Sequence, residues 1–243
     1  MVEMLFEIEA LKAQAVAARS YALKRIEYNK EEDYDVVDSI MNQVYLDDDY
    51  LKDVWGDNYI DNINKLRTAV NETSLEYLDY NGEVIDAMFF STSNGYTEDA
   101  VTVFNVDLPY LQSVKSSWDE KTSSAFRSVT TIDVDEFYNK LGIDYSDNFN
   151  VKILKRSSTN RIISLSINGK EFSGRTLYEK LGLRSTDFNL KKEENKIVIN
   201  TVGYGHGVGM SQYGAEGMAE EGYNYRDILK YYYNGTSIKK IQN

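Results

Sequence analysis

The sequence predicts an α+β fold in which helices pack with antiparallel β-hairpins, and three observations carry that prediction. Glu7 to Tyr28 contains neither Gly nor Pro and is rich in Ala, as a long helix requires. Asn81-Gly82 and Asn168-Gly169 each stand between apolar runs, the strongest short-range signal for a two-residue hairpin turn. A glycine-rich stretch, Gly203 to Gly209, runs directly into a helix-like segment.

Taken in order, the first helix places Leu11, Ala15, Ala18, Ala22 and Ile26 at steps of three and four, an apolar stripe. Its small alanines permit close approach by neighbouring backbone, so it is expected to be central. Gln14 and Arg19 interrupt the alanine field as solvent-facing residues or as groups that orient a site through hydrogen bonds. The acidic runs Glu31-Glu32-Asp33 and Asp47-Asp48-Asp49 lack the spacing of a calcium loop and read as solvated turns. Asn58 to Asn71 reads as a second helix with Ile60, Ile63, Leu66 and Val70 on one side. LEYLDY and EVIDAMFF then pair as strands about Asn81-Gly82, and the serine-rich segment Ser91-Thr92-Ser93-Asn94-Gly95 follows. Residues 130–188 suggest a smaller secondary lobe within one 243-residue domain. It comprises a helix at Asp133–Leu141, strands at Asn150–Leu154 and Arg161–Ile167, the second hairpin turn, and a helix at Ser173–Leu181 closed by Gly182. Asn195 to Val202 is a strand delivering the chain to the glycine stretch, and Ala215 to Tyr232 resumes as helix.

Composition bounds the chemistry. At 42% hydrophobic and 27% charged the chain should bury a substantial core. Zero cysteines and one histidine exclude disulfides, thiolate ligands and a multi-histidine zinc site, so no metal or cofactor is expected. A net charge of −12 disfavours nucleic acid. Twenty tyrosines, two tryptophans and nine phenylalanines suit sugar stacking, though Tyr is equally a strand and core residue. No run reaches the length of a membrane span, and the N-terminus lacks a basic-then-apolar leader pattern.

Gly203-Tyr204-Gly205-His206-Gly207-Val208-Gly209-Met210-Ser211-Gln212-Tyr213-Gly214 holds five of the 15 glycines and the only histidine. Such spacing suits positive φ or close approach of a ligand to the main chain, and also a plain strand-to-helix connection. His206 is accordingly a ligand-facing group or a surface residue. Ser211, Gln212 and Tyr213 bring directional donors and acceptors to a helix start, where Ser211 also suits an N-cap. Ser91, Ser93 and Asn94 read as a groove wall for acetamido or hydroxyl groups, or as an Asx-type turn. A Ser-His-Asp hydrolase built on Ser211 and His206 would lack the Gly-x-Ser-x-Gly elbow.

GYGHGVGMSQYGAEGMA resembles the signature of the SpoIID family, the sporulation peptidoglycan lytic transglycosylases whose domain is shared with LytB-type amidase enhancers. Glu9 to Tyr21 (EALKAQAVAARSY) resembles the family's N-terminal helix and Phe90 to Glu98 its central loop. Leu108-Pro109-Tyr110-Leu111 with Ser113-Val114 and Trp118-Asp119, then Leu181 to Phe188, follow in family order. The resemblance implies cleavage of glycan strands by one carboxyl that first protonates the leaving oxygen. The same group then draws the proton from the C6 hydroxyl of N-acetylmuramic acid, closing a 1,6-anhydro ring. It implies Glu3, of the Glu3-Met4 pair, as that acid and base, with Glu7 the fallback because Pro and about two residues of the family's spacing are missing. Glu9 is instead a helix-start acid. His206, Ser211, Gln212, Tyr213, Ser91, Ser93 and Asn94 would bind substrate. Some relatives have His at the position of Phe90 and Cys at that of Ser93, where a metal is implied; Phe and Ser here imply none. By resemblance the partners are peptidoglycan strands, SpoIIP and SpoIIM. The setting is extracytoplasmic, at the mother-cell membrane facing the forespore during engulfment. Membrane contact would run only through an anchor that this chain does not contain. A binding-only module that stimulates a cell-wall amidase is the alternative. An acidic protein on an anionic wall should show modest salt dependence.

Overall fold

The computed structural model describes residues 6–39 and 44–242. In chain order the helices are α1 (Ile8–Tyr28), α2 (Asp48–Trp55), α3 (Tyr59–Glu72), α4 (Ala100–Phe104), α5 (Asp119–Thr122), α6 (Val134–Leu141), α7 (Gly174–Leu181), α8 (Gln212–Glu220) and α9 (Tyr225–Tyr232). The strands are β1 (Glu76–Tyr80), β2 (Glu83–Val84), β3 (Phe89–Phe90), β4 (Arg127–Asp133), β5 (Val151–Arg156), β6 (Ile162–Ile167), β7 (Lys170–Ser173), β8 (Phe188–Glu193), β9 (Lys196–Val202), β10 (Met210–Ser211) and β11 (Ser237–Lys240). The fold is α+β with antiparallel sheets. Among the described residues no helix is long and apolar enough to cross a membrane. The chain divides into two compact units. One takes in Met1–Phe89, Pro109–Leu111 and Ala215–Asn243, and the other Phe90–Leu108 and Gln112–Gly214.

In the first unit α1 packs with α3, α9 and β1, and β1 is flanked by β11 and β2. The buried side of α1 is Ala10, Ala13, Ala17, Ser20 and Lys24 with Leu11 and Val16, which corrects the expected stripe: Ala15, Ala18 and Ala22 are half-buried and Ile26 is exposed. In so alanine-rich a helix no face holds a large apolar advantage, and hydrogen bonding selects one. The Ser20 hydroxyl donates to the Val16 carbonyl (2.7 Å) and accepts from the Leu78 N–H (2.8 Å). Arg19 donates to the carbonyls of Thr73 (2.9 Å) and Glu76 (2.7 Å), fastening α1 to the α3–β1 turn. Asp47 to Asp49 is not a solvated turn. The Asp47 carboxylate accepts from the Tyr50 N–H as an N-cap, and Asp48 and Asp49 occupy the first turn of α2, where carboxylates complement the dipole. The expected helix from Ala215 to Tyr232 breaks at Gly222 (φ +89). It restarts at α9 under an Asn224 cap that accepts from Arg226 and Asp227.

In the second unit β5–β6–β7 and β4–β9–β8 are antiparallel three-stranded sheets. Ile132, Phe137, Leu141, Leu165, Leu177, Leu181, Ile197 and Ile199 build the core between these sheets and helices α6 and α7. Gly174 opens α7 where a Cβ would fall 1.9 Å from the Ile162 carbonyl oxygen, so glycine alone lets the helix sit on β6. β9 alternates inward Ile197, Ile199 and Thr201 with outward residues and hands the chain to the glycine loop.

Candidate functional site

The loop after β9 takes positive φ at Gly203, Gly205, Gly207 and Gly209, as the spacing predicts, and several of its backbone groups are bonded to neighbouring segments. Gly203 N–H donates to the Phe126 carbonyl (2.8 Å), and Tyr204 and Thr92 exchange N–H to carbonyl bonds in both directions (2.7 and 2.9 Å). Gly205 N–H donates to the Arg184 carbonyl (2.8 Å), and the Gly207 carbonyl accepts from the Glu98 N–H (2.7 Å). The reciprocal Tyr204–Thr92 pair locks the glycine loop to the serine loop. Tyr204 keeps 44% of its surface exposed. His206 is half-buried, its ring 5.6 Å from that of Phe90 and 5.4 Å from that of Phe104. Its Nδ1 accepts the Val208 N–H (3.1 Å), a bond made through the Nδ1 lone pair.

Ser91 is half-buried, and its hydroxyl bonds that of Thr92 (3.1 Å). Its carbonyl accepts from the Tyr213 N–H (3.1 Å) and the Ser211 hydroxyl (3.3 Å). Ser93 and Ser211 are fully buried. The Ser93 hydroxyl donates to the Ser116 carbonyl (2.9 Å), and the Ser211 hydroxyl donates to Asp119 Oδ1. Asn94 spends its amide hydrogens on the Thr159 carbonyl (2.7 Å) and Asp187 Oδ2 (2.8 Å). Gln212 and Tyr213 are buried at the start of α8, where the Tyr213 carbonyl accepts from the Thr122 hydroxyl (2.9 Å). Ser93, Asn94 and Ser211 therefore turn inward and hold the two loops, Gln212 and Tyr213 are buried, and Ser91 and His206 keep a partly open side.

Three buried charged residues outside the expected binding set organise this framework. Asp119 accepts from the Ser93 N–H (2.7 Å), the Ser116 hydroxyl (2.6 Å) and the Ser211 hydroxyl. Burial pushes its pKa up while the Ser116, Ser211 and Ser93 bonds pull it back. Arg161 lies fully buried beneath Gly207, where a Cβ would come 2.6 Å from its Cζ. Burial lowers its pKa, and the charges of Glu98, Asp187 and Asp119 oppose that fall. Glu98 accepts from the Thr159 hydroxyl and the Asp99 N–H. The Trp118-Asp119 pair and the Phe90 to Glu98 segment are the sequence signals for this cluster.

Glu3 lies outside the described residues. Glu7, the fallback, stands at the entry to α1, and its N–H donates to Glu216 Oε2 (2.7 Å). Glu9 accepts from Lys12 (2.7 Å) and the Tyr225 N–H (2.9 Å). Burial acts to raise Glu9, but those two partners outweigh it and leave its pKa below the ordinary value. Glu216 is the opposite case. Burial, reinforced by the charges of Glu220 and Glu7 and resisted by the Glu7 N–H, pushes its pKa up to about 7. Because the folded chain holds this proton after the unfolded chain has released it, the contribution is fully present below about 4.5. It falls as pH rises and is gone above about 7. Relative to the parent, Glu216→Gln should gain about 2 kcal/mol between pH 4 and pH 8, discounted for the solvent that still reaches the group. Urea melts across that range measure it, and parallel pH profiles for the two proteins would refute it.

The profile of the family described as stage II sporulation protein, SpoIID, matches residues 1–80. Stage II sporulation protein D of Bacillus amyloliquefaciens and that of Bacillus subtilis (strain 168) are each 44% identical over 240 residues, spanning 97% of this chain and 70% of the relative. A Bacillus subtilis (strain 168) protein named amidase enhancer is 30% identical over 289 residues, spanning 96% of this chain and 38% of its own. With its signature loop folded as one bonded framework and this identity running through nearly its whole length, the chain belongs to the SpoIID family of sporulation proteins.

Proposed function

We propose that this chain is a lytic transglycosylase that cuts the bond between N-acetylmuramic acid and N-acetylglucosamine in peptidoglycan during engulfment. One observation carries the reading. The family's signature loop holds exposed Tyr204 and half-buried His206 beside Ser91 on backbone locked by the Tyr204–Thr92 pair. A glycan would thus meet a ring and polar groups already in place. In the reaction Glu3 gives its proton to the glycosidic oxygen as the bond from muramic C1 breaks. The resulting carboxylate takes the proton of the C6 hydroxyl while O6 bonds to C1, leaving a 1,6-anhydro end and Glu3 protonated again. His206 and Ser91 orient the strand. The same reading puts the protein on the extracytoplasmic face of the mother-cell membrane, working with SpoIIP and SpoIIM.

The test is mass spectrometry of peptide-free glycan strands incubated with the chain and with Glu3→Gln. Anhydro-muramic ends are expected from the parent alone, and reducing ends would instead mean hydrolysis. Cleavage retained by a correctly folded Glu3→Gln would remove Glu3 from the role. The likeness to the amidase enhancer favours a second reading, a noncatalytic glycan-binding module. Intact strands from both proteins, with faster turnover of an added cell-wall amidase, would establish that one.

A further inference from the structure

We infer that Tyr204 and Arg184 form a subsite for an acidic sugar, one that receives a muramic acid residue through its free lactyl carboxylate; this rests on the glycan-strand reading above. The Arg184 guanidinium carbon lies 5.2 Å from the centre of the Tyr204 ring, and both side chains are exposed. The main chain beneath both is bonded. The Arg184 carbonyl accepts the Gly205 N–H (2.8 Å), and Tyr204 is held in both directions by Thr92. The segment that carries Arg184, between α7 and β8, and the glycine loop that carries Tyr204 are thus joined through the main chain, with His206 two residues beyond Tyr204.

Most arginines are already taken up. In a chain of net charge −12, Arg25, Arg127, Arg156, Arg175 and Arg226 are each engaged by a carboxylate. Arg19 donates to carbonyls and Arg161 is buried, which leaves Arg67 and Arg184 as the exposed ones outside an ion pair among the described residues. Arg184 rests on an aromatic face instead. A guanidinium near a ring face, with no carboxylate taking its N–H groups, keeps those donors available to a carboxylate ligand. The adjoining tyrosine offers the apolar surface against which sugar C–H groups stack. N-acetylglucosamine supplies only the stacking half of this recognition. Muramic acid with an unsubstituted lactyl ether supplies both, whereas a lactyl group in amide linkage to a peptide has lost the charge.

Binding, rather than cleavage, tests the subsite. Titration calorimetry would compare peptide-free alternating strands with a neutral N-acetylglucosamine oligomer of equal length, on the parent and on Arg184→Gln. The parent should prefer the muramic strand about tenfold, the scale of one charge-assisted bond, and that preference should shrink with added salt. Arg184→Gln should bind both ligands alike, with affinity for the neutral oligomer within about twofold of the parent. Methyl esterification of the lactyl carboxylates should erase the preference without any mutation. A preference that survives Arg184→Gln, or a parent that never shows one, would overturn the assignment. Loss of anhydro-end formation with the binding preference intact would instead count against the lytic reading and leave the subsite standing.

Discussion

Asp119→Ala should cost about 3–5 kcal/mol of folding stability, because it breaks a buried charged network from its centre. The carboxylate gathers the Ser93 N–H, the Ser116 hydroxyl and the Ser211 hydroxyl, one group from each of three segments remote in sequence. Removing it leaves these donors without their acceptor in a region closed to water, and takes from buried Arg161 one of the negative charges that sustain it. Asp119→Asn keeps the shape but turns amide hydrogens toward groups that were donating, so it should recover only part of the loss. Urea denaturation at neutral pH measures both variants. A cost below about 1 kcal/mol for Asp119→Ala would mean that the serine and glycine loops are held together without it. Glycan binding should weaken in step with the stability loss, since Ser91 and His206 contribute only while their loops are fixed.

The parts of this fold that sequence reveals are those whose cause is local. Asn81-Gly82 and Asn168-Gly169 adopt positive φ at both residues, the requirement that makes the dipeptide a turn signal. Ser173 caps α7 by accepting from the Thr176 N–H, and Gly182 closes it in the left-handed conformation. β8 pairs with the neighbouring β9, Glu193 with Lys196, across Glu194-Asn195, a turn with no glycine to mark it. β4 and β11 escape notice because the partners that make them strands are distant: Arg127 pairs with Val202 and Glu76 with Lys240. The choice of face on α1 is non-local for the same reason, since it depends on Leu78 reaching Ser20. The site divides along this line. The glycine spacing announces a loop of positive φ, and the loop is there. That Ser93, Asn94 and Ser211 would turn inward is invisible in sequence, because it depends on where Asp119, Thr159 and Asp187 come to lie. Glu216 looks in sequence like any helical glutamate; burial beside the entry to α1 is what moves its pKa.

Gly203→Ala should destabilise the chain by about 3 kcal/mol and reduce glycan binding further than that figure alone implies. Gly203 has φ +83, and an added Cβ would stand 2.9 Å from the Thr92 carbonyl oxygen and 3.1 Å from the Asn94 nitrogen. Both obstacles are main chain, so no side chain can swing aside. Relief requires the two loops to separate, and that breaks the Tyr204–Thr92 pair on which the position of Tyr204 rests. Gly95→Ala is the control, because φ there is +106 but nothing lies within 4 Å of an added Cβ. Its cost should be that of the backbone conformation alone, about 1–2 kcal/mol. The difference between the two substitutions isolates the close approach of the loops, and calorimetry with a glycan strand reads its consequence. Equal costs would show that the serine loop yields without strain. A larger cost at Gly203, accompanied by lost binding, ties recognition to the contact between the two main chains.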